Sequence, residues 1–566
     1  MNFCDAIAPK TVDSGGNNMN TSHYDIILIG SGMGALTVAS LMAQMRGKKV
    51  LVLERHFKAG GYTHSFKRQQ FHWDVGIHYV GQMGEGSQMR RLFDLVTQGR
   101  VGWQKMPDLF EKFVYPDFTF NLYSNKERYI RDLIEQFPEE EKAIRQYFRD
   151  TAKAAIALGM QATSESGGWL KLLGAIVNLF NPPRLNLTTQ EYLDRHFQNP
   201  KLKALLVSQW GTYGLPPSKS SFAVHSAIAQ HYLEGAYYPV GGAGNIAASV
   251  RETVEASGGK ILLNREATEI LIEYGKAVGV RVRKVNAKEE TFEEYYAPVI
   301  VSNVGATATY LKLIPSDYPI PFRESLRRFV GQHSPVTNIT LYLGFSEDPR
   351  QLGFQGENHW IYESFDHDSI YNRRGEWIEN GKPMGVYLSF PSLKDPQAKA
   401  HTAEIIAWAD YETFARWRKQ PWLKRDEEYR ALKQQLSQSL IDLVDRHYPG
   451  FAKIVEYQEL STPLTNEHFT GHDRGGIYGL PIAPERFEKE NAAWTHPKTP
   501  VPGLYLTGAD LFMGGIVPAM MGGVVTVANL PDGISLPQVF MAARQFKAAM
   551  EKQESHLTRT PSALSQ

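Results

Sequence analysis

Three stretches of this sequence predict an α/β chain built around a Rossmann-like dinucleotide-binding domain. Ile26-Ile27-Leu28-Ile29 is an uncharged run of the kind buried as a strand in a parallel sheet. It enters Gly30-Ser31-Gly32-Met33-Gly34-Ala35, after which Leu36 to Arg46 carries helical periodicity. Near the other end, Pro502 to Asp510 reads as turn, short strand and acid, and Gly514 to Gly523 opens a second glycine-rich helix. The motif-poor stretches between them predict a discontinuous α+β second lobe.

Each element of the first stretch has a physical reason. Gly30 permits a tight strand-to-helix turn, and Gly32 lets the backbone approach a pyrophosphate with no side chain in the way. Ala35 is small enough to keep the helix against the sheet. The helix start presents unpaired N–H groups and the positive end of its dipole to an anion. Lys49 to Leu53 (KVLVL) is a second buried strand, and Glu54 follows Gly30 by 24 residues, where an acid accepts hydrogen bonds from ribose hydroxyls.

Composition sets the outer bounds. At 566 residues the chain is too long for one core and predicts about two or three lobes. Lys+Arg number 61 against 60 Asp+Glu, which argues against nucleic acid as a partner. A single cysteine, Cys4, argues against disulfides and thiolate metal sites and allows a reducing, cytoplasmic compartment. Residues 1–22 are rich in Gly, Asn, Ser and Thr, lack a signal-peptide core and read as a disordered leader. No run of about 20 apolar residues marks a spanning helix.

The segment after Glu54 favours FAD over a nicotinamide. Arg55 is followed by the pair Gly60-Gly61, suited to brush a diphosphate, and by Thr63-His64. Phe71 to Tyr79 (FHWDVGIHY) is a block that nicotinamide dehydrogenases do not need. At the far end Gly508-Ala509-Asp510 offers an acid to a ribityl hydroxyl or a diphosphate-side water. The turn Gly515-Ile516-Val517-Pro518-Ala519-Met520 opens a helix whose N–H groups around Val517, Ala519 and Met520 are expected at the flavin O2 side. Pro518 suits the first turn, where no N–H is required. No second glycine fingerprint marks a dedicated NAD(P)H site, and NAD(P)H stays open as an electron donor.

These blocks resemble the retinol saturase and carotenoid isomerase branch of the phytoene desaturase-like FAD-dependent oxidoreductases. Further matching pieces are Tyr238 to Gly244 (YPVGGAG), Pro298 to Asn303 (PVIVSN), Ser461 to Asn466 (STPLTN) and Gly475 to Gly479 (GGIYG). The resemblance implies a glutathione reductase/amine oxidase-like flavin fold. It implies FAD held by Gly30, Gly32, Met33, Gly34, Ala35, Glu54, Arg55, Gly60, Gly61, Thr63 and His64. Backbone near Ala267 would meet the adenine, and Asn303, Gly508, Asp510 and the turn Gly515 to Met520 would close over the flavin. It also implies saturation, desaturation or isomerisation of double bonds in a carotenoid- or retinoid-type polyene. Ala35 departs from the usual glycine, and Tyr62 stands where relatives have a small residue or cysteine. The fold alone also admits another apolar lipid or amine as substrate, or a prenyl-lipid escort protein.

The flavin domain is expected from residues 23–100, 236–305 and 456–535, the substrate lobe from 101–235 and 306–455, and a C-terminal helix and tail from 536–566. Helices are expected at Asn245–Ala256, Ala403–Ala415 and Asp426–His447, and strands at 337–345 and 384–390. Ile261–Leu263, Ala267–Ile272 and Ala277–Arg283 read as a meander feeding back into the main sheet. The apolar segment Gly167 to Phe180 is too short to span a bilayer and reads as a core helix or a peripheral membrane contact. Candidate proton donors beside the flavin segments are His78, Tyr79, Glu467, His468 and Tyr478. His72, Asp74 and His78 on one strand face would suit a metal, but their block already matches a flavin family, and the reading is no metal.

Overall fold

The computed structural model describes residues 23–163, 187–285, 287 and 289–559. The leader and the apolar segment 167–180 lie outside the described residues. Five short strands form a fully parallel sheet in the order Lys260–Leu262, Val50–Leu53, Ile26–Ile29, Val299–Ser302, Leu504–Leu506. The three central strands are buried along their whole length. Chain order reverses direction across the sheet at Ile26–Ile29, so the crevice at its carboxyl end is the topological switch point where ligands of such sheets bind. Ile29 pairs with Ser302, so Gly30 and Asn303 leave the sheet side by side at that crevice.

Helix Met33–Arg46 is buried from Met33 through Ala43, because the sheet covers one side and helix Ile516–Asn529 the other. The two helices meet through glycine: a Cβ on Gly523 would fall 2.6 Å from the Gly34 carbonyl oxygen. Any larger side chain there would push the helices apart.

The second lobe is a seven-stranded sheet in the order Val455–Ser461, Thr337–Phe345, His401–Ala409, Gly385–Ser389, Asn358–Tyr362, Leu109–Tyr115, Phe118–Tyr123. The expectation of a helix over Ala403–Ala415 is corrected here. His401–Ala409 is a strand paired along its full length with Thr337–Phe345, and only Glu412–Ala415 is helical. Thr402–Ile405 and Ala407–Ala409 are buried. A strand covered on both faces shows no polar alternation, so its period of two is invisible in the sequence.

Two further expectations change. Val455–Ser461 pairs with Thr337–Phe345, so the segment assigned to the flavin domain from residue 456 begins inside the second lobe. Only Lys260–Leu262 joins the parallel sheet. Arg265–Glu273, Lys276–Lys284 and Phe292–Tyr296 form a separate antiparallel sheet. The hairpin Ser65–Arg68/Phe71–Asp74 clamps the lobes together: the Trp73 indole donates to the Leu343 carbonyl at 3.0 Å, and the Phe71 ring occupies the space where Gly344 lacks a side chain. No helix among the described residues is long and apolar enough to cross a membrane.

Candidate dinucleotide and substrate site

A cavity of about 660 Å³ is lined at one end by the glycine turn and at the other by one face of the seven-stranded sheet. At the turn Gly30 adopts φ +86°, a conformation glycine reaches without strain. Gly32 begins the helix with no side-chain cap, and Asn303 Oδ1 accepts from the Ala35 N–H at 3.2 Å. The amides ahead of Ala35 stay available to an anion in the cavity. A Cβ on Gly32 would lie 2.6 Å from Asn303 Nδ2, and one on Gly34 would lie 2.5 Å from Gly508 Cα. Gly32 thus leaves room for the Asn303 amide at the cavity wall, whereas Gly34 permits backbone packing.

Glu54 is buried and knots the turn together. Its Oε2 accepts from the Ser31 N–H at 2.9 Å and the Ser31 hydroxyl at 2.6 Å, and its Oε1 accepts from the His56 N–H at 2.7 Å. Burial raises its pKa against the lowering effect of these bonds. The Gly60 N–H donates to Ser31 Oγ at 2.9 Å, which brings the second glycine turn beside the first. Thr63 donates to the Gly60 carbonyl at 2.7 Å, and His64, its pKa lowered by burial, contacts the Gly61 carbonyl at 2.5 Å. Arg55 pairs with Glu266 at 3.4 Å. Asp510 is buried with both carboxylate oxygens engaged: it accepts from the Ala306 N–H at 2.7 Å and the Leu480 N–H at 2.8 Å. It therefore binds three chain segments together at the cavity wall.

Of the residues read as cofactor ligands, Gly30, Gly32, Met33, Gly34, Glu54, Arg55, Gly60, Gly61, Thr63, His64, Ala267, Asn303, Asp510, Gly515 and Ile516 lie on the cavity wall. Ala35, Gly508, Val517, Pro518 and Met520 do not. The Ala519 N–H is taken by the Gly515 carbonyl at 3.1 Å, so the helix ladder has already begun where that amide was expected to face a ligand.

The other end of the cavity is aromatic. Tyr342, Trp360, Tyr387 and Trp408 project from the sheet, with Ile406 and Thr340 between them. Trp408 is backed by Trp210 at 4.2 Å, stacked. Sequence reasoning missed these four aromatic residues because they lie in segments without a motif. The only signal was same-face spacing, Glu404-Ile406-Trp408, in a strand read as a helix.

The proton-donor candidates separate. His78, Tyr79 and Tyr478 line the cavity. His78 Nδ1 lies 2.6 Å from Glu404 Oε2, Tyr79 stacks on Tyr232 at 4.4 Å, and the Tyr478 hydroxyl donates to the Gly211 carbonyl at 2.9 Å. Burial raises both tyrosine pKa values. Glu467 is off the wall, held by Arg418 at 2.6 Å and Tyr411 at 2.7 Å, and His468 is stacked on Trp422. Its place next to a motif misled the reading, because the helix Pro463–Thr470 turns Asn466 inward and Glu467 outward. Tyr62 is on the wall, its hydroxyl donating to the Gly476 carbonyl at 3.1 Å. His72, Asp74 and His78 do not share a strand face: strand Phe71–Asp74 ends before His78, and Asp74 accepts hydrogen bonds from Tyr238 and Ala243.

Comparison with known proteins agrees with this arrangement. Residues 28–96 match the NAD(P)-binding Rossmann-like domain family. An all-trans-retinol 13,14-reductase of Danio rerio is 32% identical over 520 residues, covering 88% of this chain and 84% of the relative. A chloroplastic prolycopene isomerase of Arabidopsis thaliana is 24% identical, covering 94% of this chain and 86% of the relative. Cyclohexylamine oxidase from Brevibacterium oxydans superposes with a TM-score of 0.56 at 13% identity, over 94% of this chain and all of that one, and shares the fold. The identity and coverage shared with the Danio rerio protein show that this chain belongs to the all-trans-retinol 13,14-reductase family of oxidoreductases.

Proposed function

We propose that the protein is an FAD-dependent reductase that saturates a carbon–carbon double bond of a retinoid-type polyene. The observation that carries this reading is one cavity joining the glycine cradle to an aromatic wall. The residues fit FAD: Gly32 presents backbone without a side chain at the cavity wall, the first-turn amides suit a diphosphate, and Glu54 suits a ribose. In this reading the Ala267 backbone would meet the adenine, and Gly515 and Ile516, also on the cavity wall, would meet the flavin. When bound, the flavin would supply hydride chemistry. The protein's own work is to orient the polyene against flat aromatic faces, to exclude water and to hold a proton near the reacting carbon. Saturation is favoured over isomerisation because the retinol reductase is the nearer relative, at 32% against 24%.

The test is an absorbance spectrum of the purified protein followed by anaerobic incubation with all-trans-retinol and a reducing agent. Flavin bands and a blue-shifted polyene product, two hydrogens heavier, support the reading. A product of unchanged mass and altered geometry would make it an isomerase, and a folded protein that cannot take up FAD would sink the proposal.

A further inference from the structure

Beneath the aromatic wall lies a group of buried ionisable side chains. Glu404 is fully buried on the same face of its strand as Ile406 and Trp408, and it comes from the segment where no motif was visible. Its Oε2 is 2.6 Å from His78 Nδ1, while its Oε1 has no hydrogen-bond partner among the described residues. His78 lines the cavity, and its Nε2 makes no hydrogen bond among the described residues. The main chain of His78 is held separately. Lys394 Nζ donates to the His78 carbonyl at 2.9 Å, to Ser389 Oγ at 2.7 Å and to Asn358 Oδ1 at 2.5 Å. Both ends of the residue are therefore clamped, with the ring by a carboxylate and the backbone by a buried amine.

We propose that His78 is the proton donor to the polyene and that Glu404 is the residue that positions it. This rests on the reductase reading above. Saturation adds two hydrogens to one double bond. The flavin, when bound, would supply one with its electron pair, and the other is a proton. The N–H bond at His78 Nε2 breaks, a C–H bond forms on the neighbouring carbon, and the imidazolium becomes neutral imidazole. Solvent restores the proton between turnovers. A carboxylate on Nδ1 fixes that nitrogen as a donor and holds the ring, leaving Nε2 as the nitrogen available to a substrate in the cavity.

The other charged or titratable groups around the pair are compatible with this role. Burial pushes Lys394 down to about 7 and Glu111 up to about 7. Asp74, raised by burial to about 7, is tied to Tyr238, and Tyr387 packs edge-on against His78 at 5.5 Å.

The experiment uses the full-length protein, its E404Q, E404D and H78Q variants, and ¹⁵N-labelled histidine. The wild type should show a strongly downfield Nδ1 proton from the short His78–Glu404 hydrogen bond, lost in both E404Q and H78Q and independent of turnover. Turnover should fall about 100-fold in E404Q with KM unchanged, and E404D should recover part of it. H78Q turning over at the wild-type rate would overturn the donor assignment. E404Q retaining the downfield signal would overturn the pair. Equal loss of kcat and thermal stability in E404Q, with no recovery in E404D, would reduce Glu404 to a packing role. A wild type that binds flavin yet reduces no polyene would instead bring down the reductase reading, a result the first two arms do not produce.

Discussion

The Tyr238 hydroxyl donates to Asp74 Oδ2 at 2.5 Å across 164 residues of chain. The Ala243 N–H adds a second bond to the same carboxylate at 2.9 Å. Two motifs that look independent in the sequence, FHWDVGIHY and YPVGGAG, are therefore the two sides of one buried knot beside the cavity.

That knot has a pH signature. Burial raises Asp74 from 3.8 to about 7. The folded state then holds a proton that the unfolded state has already released, so this carboxyl costs stability as pH rises from about 4 to 7 and no further above 7. The full effect is on the order of a few kcal/mol. In chemical denaturation between pH 5 and 8, D74N should gain stability relative to wild type with rising pH, the difference levelling off above 7. A difference independent of pH would contradict the assignment.

The two glycines of the turn should fail in different ways. At Gly32, on the cavity wall, an added Cβ meets the movable end of Asn303, whereas at Gly34 it meets the backbone of Gly508. G32A should keep a wild-type circular dichroism spectrum and lose flavin. G34A should destabilise the fold outright, by about 1–3 kcal/mol of overpacking, and so lower the melting temperature. Both variants binding flavin normally would remove the turn from the cofactor site.

D510A leaves the buried Ala306 and Leu480 amides without their acceptor. Each orphaned donor costs about 1–3 kcal/mol. The variant should unfold at distinctly lower denaturant and bind flavin more weakly. Unchanged stability would show that water replaces the carboxylate.

Trp408 supplies a flat wall stacked on Trp210. W408L should raise KM for a polyene about tenfold, the loss of one aromatic contact, while leaving flavin content unchanged. An unaltered KM would place the polyene elsewhere in the cavity.

The parallel sheet and its turn were legible because their causes are local. Ile26–Ile29, the glycines and Glu54 each act within a few residues of one another, and their order along the chain specifies strand, turn, helix and acid. The same locality made Asp426 readable as the start of a helix: its side chain caps the Tyr429 N–H at 3.0 Å. In the second lobe the strands at 337–345 and 385–389 were legible, whereas Ala403–Ala409 was misread as helix because a doubly buried strand has no alternation to tell it from a buried helix.

By itself the sequence determined that this chain carries a dinucleotide cradle and belongs with flavin-type oxidoreductases, since those features are made by neighbours in the chain. Only the tertiary structure decided which side chains share the cavity with that cradle. Glu404 reaches His78 across 326 residues, and Trp360, Tyr387 and Trp408 converge from three strands. Such meetings follow from sheet register and lobe packing, which depend on contacts between distant segments and leave no fixed spacing in the sequence.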